Sequence, residues 1–270
     1  MAAMTAKQVI TQKLREAERE VIFSEFKEHE GTIMNATVQR REGRIVLVDL
    51  GRTTAVMRAD DQIQSERYNT GDRIKVFVKQ VGLTTKGPEI LVSRTSEEMV
   101  RTLFKFEIPE IGDGLVEIKG IAREAGSRSK VAVSTKDESI DPIGACIGQR
   151  GTRIQTIIAE LGGEKIDIIE WEEDPVRFIT NALSPAKITG IQLDQEKRAA
   201  FVKVAEDQLS LAIGKGGQNV RLAARLSGWM INISGDEKKV EEAPLSVIPS
   251  EAEGSQVVET AESTTEETKE

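Results

Sequence analysis

Two pentapeptides of the form Ile-Gly-x-x-Gly stand 66 residues apart: Ile147-Gly148-Gln149-Arg150-Gly151 and Ile213-Gly214-Lys215-Gly216-Gly217. A glycine turn between two helices has no Cβ to hold a polyanion away. The helix that follows aims N–H groups at an arriving phosphate. Basic residues stand in or just after both turns: Arg150 and Arg153 at the first, Lys215 and Arg221 at the second. Any one of them alone also reads as part of a solvated helix face. As a set beside the glycines they point to contacts with a phosphodiester backbone. Glycine pairs at this spacing also end ordinary helices, so a single copy would carry little, and the repetition carries the argument.

Each turn needs elements to hold it, and the flanking patterns supply the same ones twice. The first unit reads as a helix around 97–106, strands over 115–121 and 130–134, a helix–loop–helix over 142–161 and a strand over 165–171. The second reads as a helix over 175–183, strands over 188–193 and 199–204, a helix–loop–helix over 208–226 and a strand over 229–233. Polar turn residues, Ala125-Gly126-Ser127 and Asp194-Gln195-Glu196-Lys197, separate the strand pairs. An internal repeat of this size implies duplicated modules packed side by side. A Gly-x-x-Gly loop in this setting matches the KH mode of clamping single-stranded RNA.

The net charge of −8 at first argues against a nucleic-acid binder, but its distribution removes the objection. Residues 236–270 hold eleven acids and three bases, so 34 acids and 34 bases remain in residues 1–235. Within that neutral body Lys119, Arg123, Arg128, Lys130 and Lys136 cluster against Glu124 alone, and residues 184–235 carry seven bases against four acids. Local positive patches of this kind set phosphate affinity. Arg123, Arg128 and Lys130 therefore join the candidate RNA-binding residues.

Ahead of the repeat, apolar residues Ile10, Leu14, Ala17 and Val21 recur at helical steps within residues 6–28, as in a connecting helix laid against a neighbouring domain. From Gly31 the period changes to two, over 32–39, 44–50, 54–57, 73–81 and 89–94. Five short strands with Gly-Asp and Gly-Pro punctuation suggest a small closed barrel of the OB type. Residues 236–270, rich in Glu, Ser and Thr, read as a disordered acidic tail.

Longer stretches resemble a known family. Glu30-Gly31, Val48-Asp49-Leu50-Gly51 and Leu91-Val92-Ser93-Arg94-Thr95 resemble the S1-type OB-fold. Lys119-Gly120-Ile121-Ala122-Arg123-Glu124 with Asp141-Pro142-Ile143-Gly144-Ala145-Cys146-Ile147-Gly148 is similar to the first KH domain of the bacterial NusA family. Gly216-Gly217-Gln218-Asn219-Val220-Arg221-Leu222-Ala223 with Leu226-Ser227-Gly228-Trp229 is similar to its second. The resemblance implies a linking helix over 1–28, an S1-type barrel over 29–99, type II α+β KH domains over 100–173 and 174–235, and the acidic tail. It also implies a factor that binds nascent RNA on elongating RNA polymerase, beside other transcription factors, and modulates pausing, termination and antitermination; a single cysteine and no long apolar run make a reducing cytosol the expected compartment, and a monomer is expected. Family members carry a polymerase-docking domain ahead of the linking helix, and these residues begin at that helix. The barrel's second strand lacks aromatics, leaving Tyr68 and Phe77, so weak binding through charge is expected there.

Other residues have plainer expectations. Ile147, Ile154, Ile213 and Val220 read as core or groove floor, and Trp171 and Trp229 as packing between the two KH units. The lone cysteine, Cys146, rules out an internal disulfide and reads as a small buried helix residue. A single His far from a single Cys gives no nucleophile–base pair, and Leu209 stands where a P-loop needs glycine, so neither an enzyme nor a cofactor is expected. An accessory RNA-binding subunit of an RNA-degrading or RNA-processing assembly is the alternative, since such assemblies also combine S1-type barrels with KH domains.

Overall fold

The computed structural model describes residues 2–85 and 87–235, with side chains from residue 8 onward; the acidic tail expected over 236–270 lies outside the described residues. Helix α1 (Ala2–Glu28) packs on the barrel through Phe26, Ile22 and Phe23 of its last turns. The periodic residues Ile10, Leu14 and Val21 are 67%, 59% and 57% exposed, so it is Ile22, Phe23 and Phe26 rather than this stripe that lie against the neighbouring barrel. Among the described residues no helix is long and apolar enough to cross a membrane.

Strands β1 (Ile33–Glu42), β2 (Ile45–Asp49), β3 (Thr54–Met57), β4 (Arg73–Thr84) and β5 (Gly87–Ser93) close into a barrel in the order β1-β2-β3-β5-β4. Alternation decides which side chains fill it. Val46 and Val48, Ala55 and Met57, Val76 and Val78, and Ile90 and Val92 all point inward and are buried.

The first unit of the repeat comprises α2 (Glu97–Glu107), a short α3 (Pro109–Gly112), β6 (Val116–Glu124), β7 (Arg128–Thr135), α4 (Pro142–Ile147), α5 (Thr152–Glu160) and β8 (Lys165–Glu170). The second has α6 (Pro175–Ala182), β9 (Ile188–Asp194), β10 (Ala199–Val204), α7 (Glu206–Ile213), α8 (Gln218–Ser227) and β11 (Met230–Gly235). In both sheets the middle strand, β7 or β10, runs antiparallel to the strand before it and parallel to the last. Ser96, Asp141 and Asp174 cap the N-termini of α2, α4 and α6 with their side chains.

The sheet of the first unit is covered on both faces. Val131 and Val133 pack into the core under α2, α4 and α5, while Ala132 and Ile169 pack against Phe178, Ala182 and Ala223 of the second unit. This double burial explains why β7 shows no polar alternation. Trp171 and Trp229 join that second core, as expected of packing residues, and the Trp171 and Phe178 rings lie 6.4 Å apart.

The barrel is fastened to the first unit by a buried arginine. Arg94, 3% exposed, donates through Nε to Glu66 at 2.6 Å, through Nη1 to the Lys75 carbonyl at 2.6 Å and through Nη2 to the Glu160 carbonyl at 3.2 Å. Phe77 leaves the barrel to enter the core of the first unit. The Tyr68 hydroxyl accepts from the Ile63 amide at 2.9 Å, and burial pushes its pKa up. The Phe77 ring is therefore not free for a base to stack upon, while Tyr68 is half-buried against the barrel core.

Candidate nucleic-acid interface

The two glycine loops share one backbone conformation. Gly148 closes α4 at φ 73°, ψ 176°, and Gly214 closes α7 at φ 75°, ψ 171°. That region is open essentially to glycine alone. Two residues later the chain is left-handed in both loops, at Arg150 (φ 55°) and Gly216 (φ 59°), and it stays so at Gly151 (φ 77°) and Gly217 (φ 74°). No side chain caps α5 or α8, whose first-turn N–H groups face the loop.

The residue five positions after the first glycine holds each loop in place. Arg153 Nη1 donates to the Ala145 carbonyl at 2.7 Å and to the Glu110 carboxylate at 2.8 and 3.0 Å. Asn219 Nδ2 donates to the carbonyls of Ala212 at 3.0 Å, Leu211 at 3.4 Å and Leu183 at 3.1 Å. Ala145 and Leu211 each lie three residues before the first glycine, so two different side chains satisfy the same helix end. A Cβ on Gly148 would lie 2.8 Å from Arg153 Cγ, and one on Gly214 would lie 2.8 Å from the Asn219 backbone nitrogen. Arg153, a candidate phosphate ligand by sequence, is thus engaged within its own unit. Glu110 is held below the usual carboxylate range by its own backbone amide and by Arg153.

What the loops present to solvent is Gln149 and Arg150 on the first and Lys215 and Gly216 on the second. Arg150 and Lys215 make no ion pair with another described residue. Beside them Ile147 and Ile213 are 38% and 37% exposed, an aliphatic surface next to each turn. Ile154 instead packs into the core, and Val220 is half-buried. Cys146 is buried in α4, and burial pushes its thiol up to about 12, which leaves it unreactive.

Two of the five bases clustered in and beside β6 and β7, Arg123 and Lys130, turn out to be internal, while Lys119 and Lys136 are exposed. Arg123 and Glu164 have side chains 1% and 0% exposed and pair through Arg123 Nη2 at 2.9 Å. Arg123 Nη1 also donates to the Ser96 carbonyl at 2.6 Å. The Lys130 side chain is fully buried, with Nζ 3.0 Å from the Ser184 carbonyl and 3.5 Å from Asp167, and burial lowers its pKa. Neither Arg123 nor Lys130 can reach a phosphate in this fold, which corrects the sequence reading. Sequence counts bases; it does not show that β7 is buried on both faces. Arg128 is partly exposed and is gripped by Asp167 at 2.6 and 2.9 Å.

Glu124, the single acid of that cluster, links the units. Its carboxylate accepts from Arg221 Nε at 2.6 Å and Gln218 Nε2 at 2.7 Å, and Gln218 also donates to Ser127 Oγ at 2.7 Å. Arg221 Nη1 donates to the Gly216 carbonyl at 3.2 Å, tying the second loop to the same contact. The sequence reading missed Glu110, Glu124, Gln218 and Asn219. Aligning the two loops would have exposed Asn219, which stands where Arg153 stands.

The sequence of this chain is similar to those of known proteins. The model of a NusA-like first KH domain matches residues 94–171, and that of a NusA-like second KH domain matches residues 175–241. The transcription termination/antitermination protein NusA of Bacillus subtilis (strain 168) is 50% identical over 253 residues, covering 94% of this chain and 67% of that protein. The chain belongs to the NusA family. The NusA of Halalkalibacterium halodurans is 49% identical over 241 residues, covering 89% of this chain and 63% of that protein. For the NusA of Thermus thermophilus the figures are 52% over 233 residues, 86% and 60%. The chain thus spans 60–67% of the length of these curated relatives. Each NusA-like KH match encloses one sheet, one glycine loop and the side chain that holds it.

Proposed function

We propose that this chain is a non-catalytic, RNA-binding transcription elongation factor that modulates pausing, termination and antitermination through nascent single-stranded RNA. The observation that carries the reading is the pair of glycine loops with one shared backbone, each bordered by an open helix N-terminus, an exposed aliphatic residue and a basic side chain outside any ion pair with the described residues. RNA strands bind such loops through phosphates on the turn and bases along the adjoining groove. The contacts are assigned to Ile147, Gly148, Gln149, Arg150 and Gly151 on the first loop and to Ile213, Gly214, Lys215, Gly216 and Gly217 on the second.

The closed barrel over residues 29–99 is assigned to the S1-type OB class on its five strands, and the units over 100–173 and 174–235 to type II KH domains on their element order. RNA polymerase is the proposed partner, on kinship with the NusA proteins, and the cytosol the proposed compartment, with the chain monomeric. Changing Lys215 and Gly216 together to Asp places two carboxylates against the strand. Fluorescence anisotropy with a labelled single-stranded RNA should then show weaker binding at unchanged circular dichroism. Equal affinity in both proteins would remove the second loop as a contact. Capture of polymerase subunits from lysate, rather than a ribonuclease, separates the transcription reading from the alternative of an RNA-processing subunit.

A further inference from the structure

Between the two units the second glycine loop faces the start of β7 and β8 across a cleft of about 480 Å³. Arg128 and Lys165 of the first unit and Lys215, Gly214, Gln218 and Asn219 of the second line it, and no carboxylate among the described residues does. Arg128 is neutralised by Asp167. Lys165 and Lys215, both exposed and without an ion pair to another described residue, supply the cleft's uncompensated charge. They lie on different units, so the site exists only while the units are joined.

We propose that this junction is a shared phosphate site, in which Lys165 and Lys215 flank one phosphodiester of the RNA strand as it passes from the first glycine loop to the second. The inference rests on the RNA-binding reading and adds Lys165, which no part of that reading assigned. Two features favour it. Asn219 Oδ1 is buried beside the cleft without a hydrogen-bond partner among the described residues; it is an acceptor, so it suits the donating 2′-hydroxyl of the ribose next to the phosphodiester rather than the phosphate itself. The two units that carry the lysines are held together by the contacts of Gln218 and Arg221 with Glu124 and by Leu226 packed against Gly120, so the cleft itself is preformed.

Each phosphate contact on single-stranded nucleic acid contributes ~0.7 to the log–log salt slope, or about fivefold in affinity between 1 M and 0.1 M salt. Anisotropy titrations of the full chain with a labelled single-stranded RNA should therefore show Lys165→Gln about fivefold weaker at 0.1 M salt, with a slope reduced by ~0.7. Lys215→Gln should match it. The double variant should lose little more than either alone, because the phosphate is shared. Lys105→Gln, on the exposed face of α2, should bind as the unaltered chain does. An unchanged affinity and slope for Lys165→Gln would overturn the site, and so would losses that multiply in the double variant, since two separate phosphates would then be involved. A chain that binds RNA and loses it on the Lys215→Asp/Gly216→Asp change, yet ignores Lys165→Gln, fails this inference alone. An unaltered chain that binds no RNA fails the functional reading itself, and the shared site with it.

Discussion

Arg221 and Glu124 are 97 residues apart in the chain, and Arg221 Nε lies 2.6 Å from Glu124 Oε1, the closest polar link between the two KH units. Arg221 foremost, with Gln218, holds the Glu124 carboxyl below the usual carboxylate range. A carboxyl whose folded pKa is depressed adds stability above its unfolded value, about 4.3, and that stability is lost as pH falls through the folded value. The melting temperature of Glu124→Gln should therefore lie below that of the unaltered chain at neutral pH, and the gap should close in acid. A gap that persists at pH below the depressed folded value, where the Glu124 carboxyl is itself protonated, would assign the effect to packing instead.

A second carboxylate is sealed inside the first unit. Glu164 accepts from Arg123 Nε at 3.0 Å, Arg123 Nη2 at 2.9 Å, the Gly126 amide at 2.8 Å and Ser129 Oγ. Glu164→Ala leaves a guanidinium buried without its counter-charge, and breaking a buried pair in this way costs about 3–5 kcal/mol. Urea unfolding should show a loss of that order. A loss below about 1 kcal/mol would mean that water replaces the carboxylate.

The repeat itself was legible because each element carries its own signal. Period-two alternation marks the barrel strands, Asp-Pro marks the starts of α4 and α6, and the glycine turns mark the loops. The strand limits of β3 and β10 agree with the sequence reading to the residue. What escaped was everything decided by another part of the chain. Phe77 looked available for stacking because its neighbours alternate, yet it enters the next unit's core. Lys130 looked like a phosphate ligand because no local rule buries a lysine; the helices of the second unit do so. Glu124 was visible only as an exception within a basic patch, and its partner lies in the other copy of the repeat. The stripe on α1 was periodic in sequence without being covered.

Four of the five loop glycines, Gly148, Gly151, Gly214 and Gly217, should differ in how much a methyl group costs, and the difference tests whether the loops are built as described. Gly148 and Gly214 occupy backbone space that only glycine adopts readily, so alanine at either brings strain on the order of 1–3 kcal/mol. At Gly214 the new Cβ would also meet the Asn219 backbone nitrogen at 2.8 Å, which can move only if α8 moves. At Gly148 the nearest atom is Arg153 Cγ, on a side chain that can swing aside. Alanine at Gly151 or Gly217 meets nothing closer than 3.9 Å and bears only the left-handed φ, roughly 1–2 kcal/mol. Urea midpoints of the four full-length variants should therefore fall furthest for Gly214→Ala, next for Gly148→Ala and least for the other two. Equal shifts for all four, or a larger shift at Gly148 than at Gly214, would mean that Asn219 does not hold the second loop from behind.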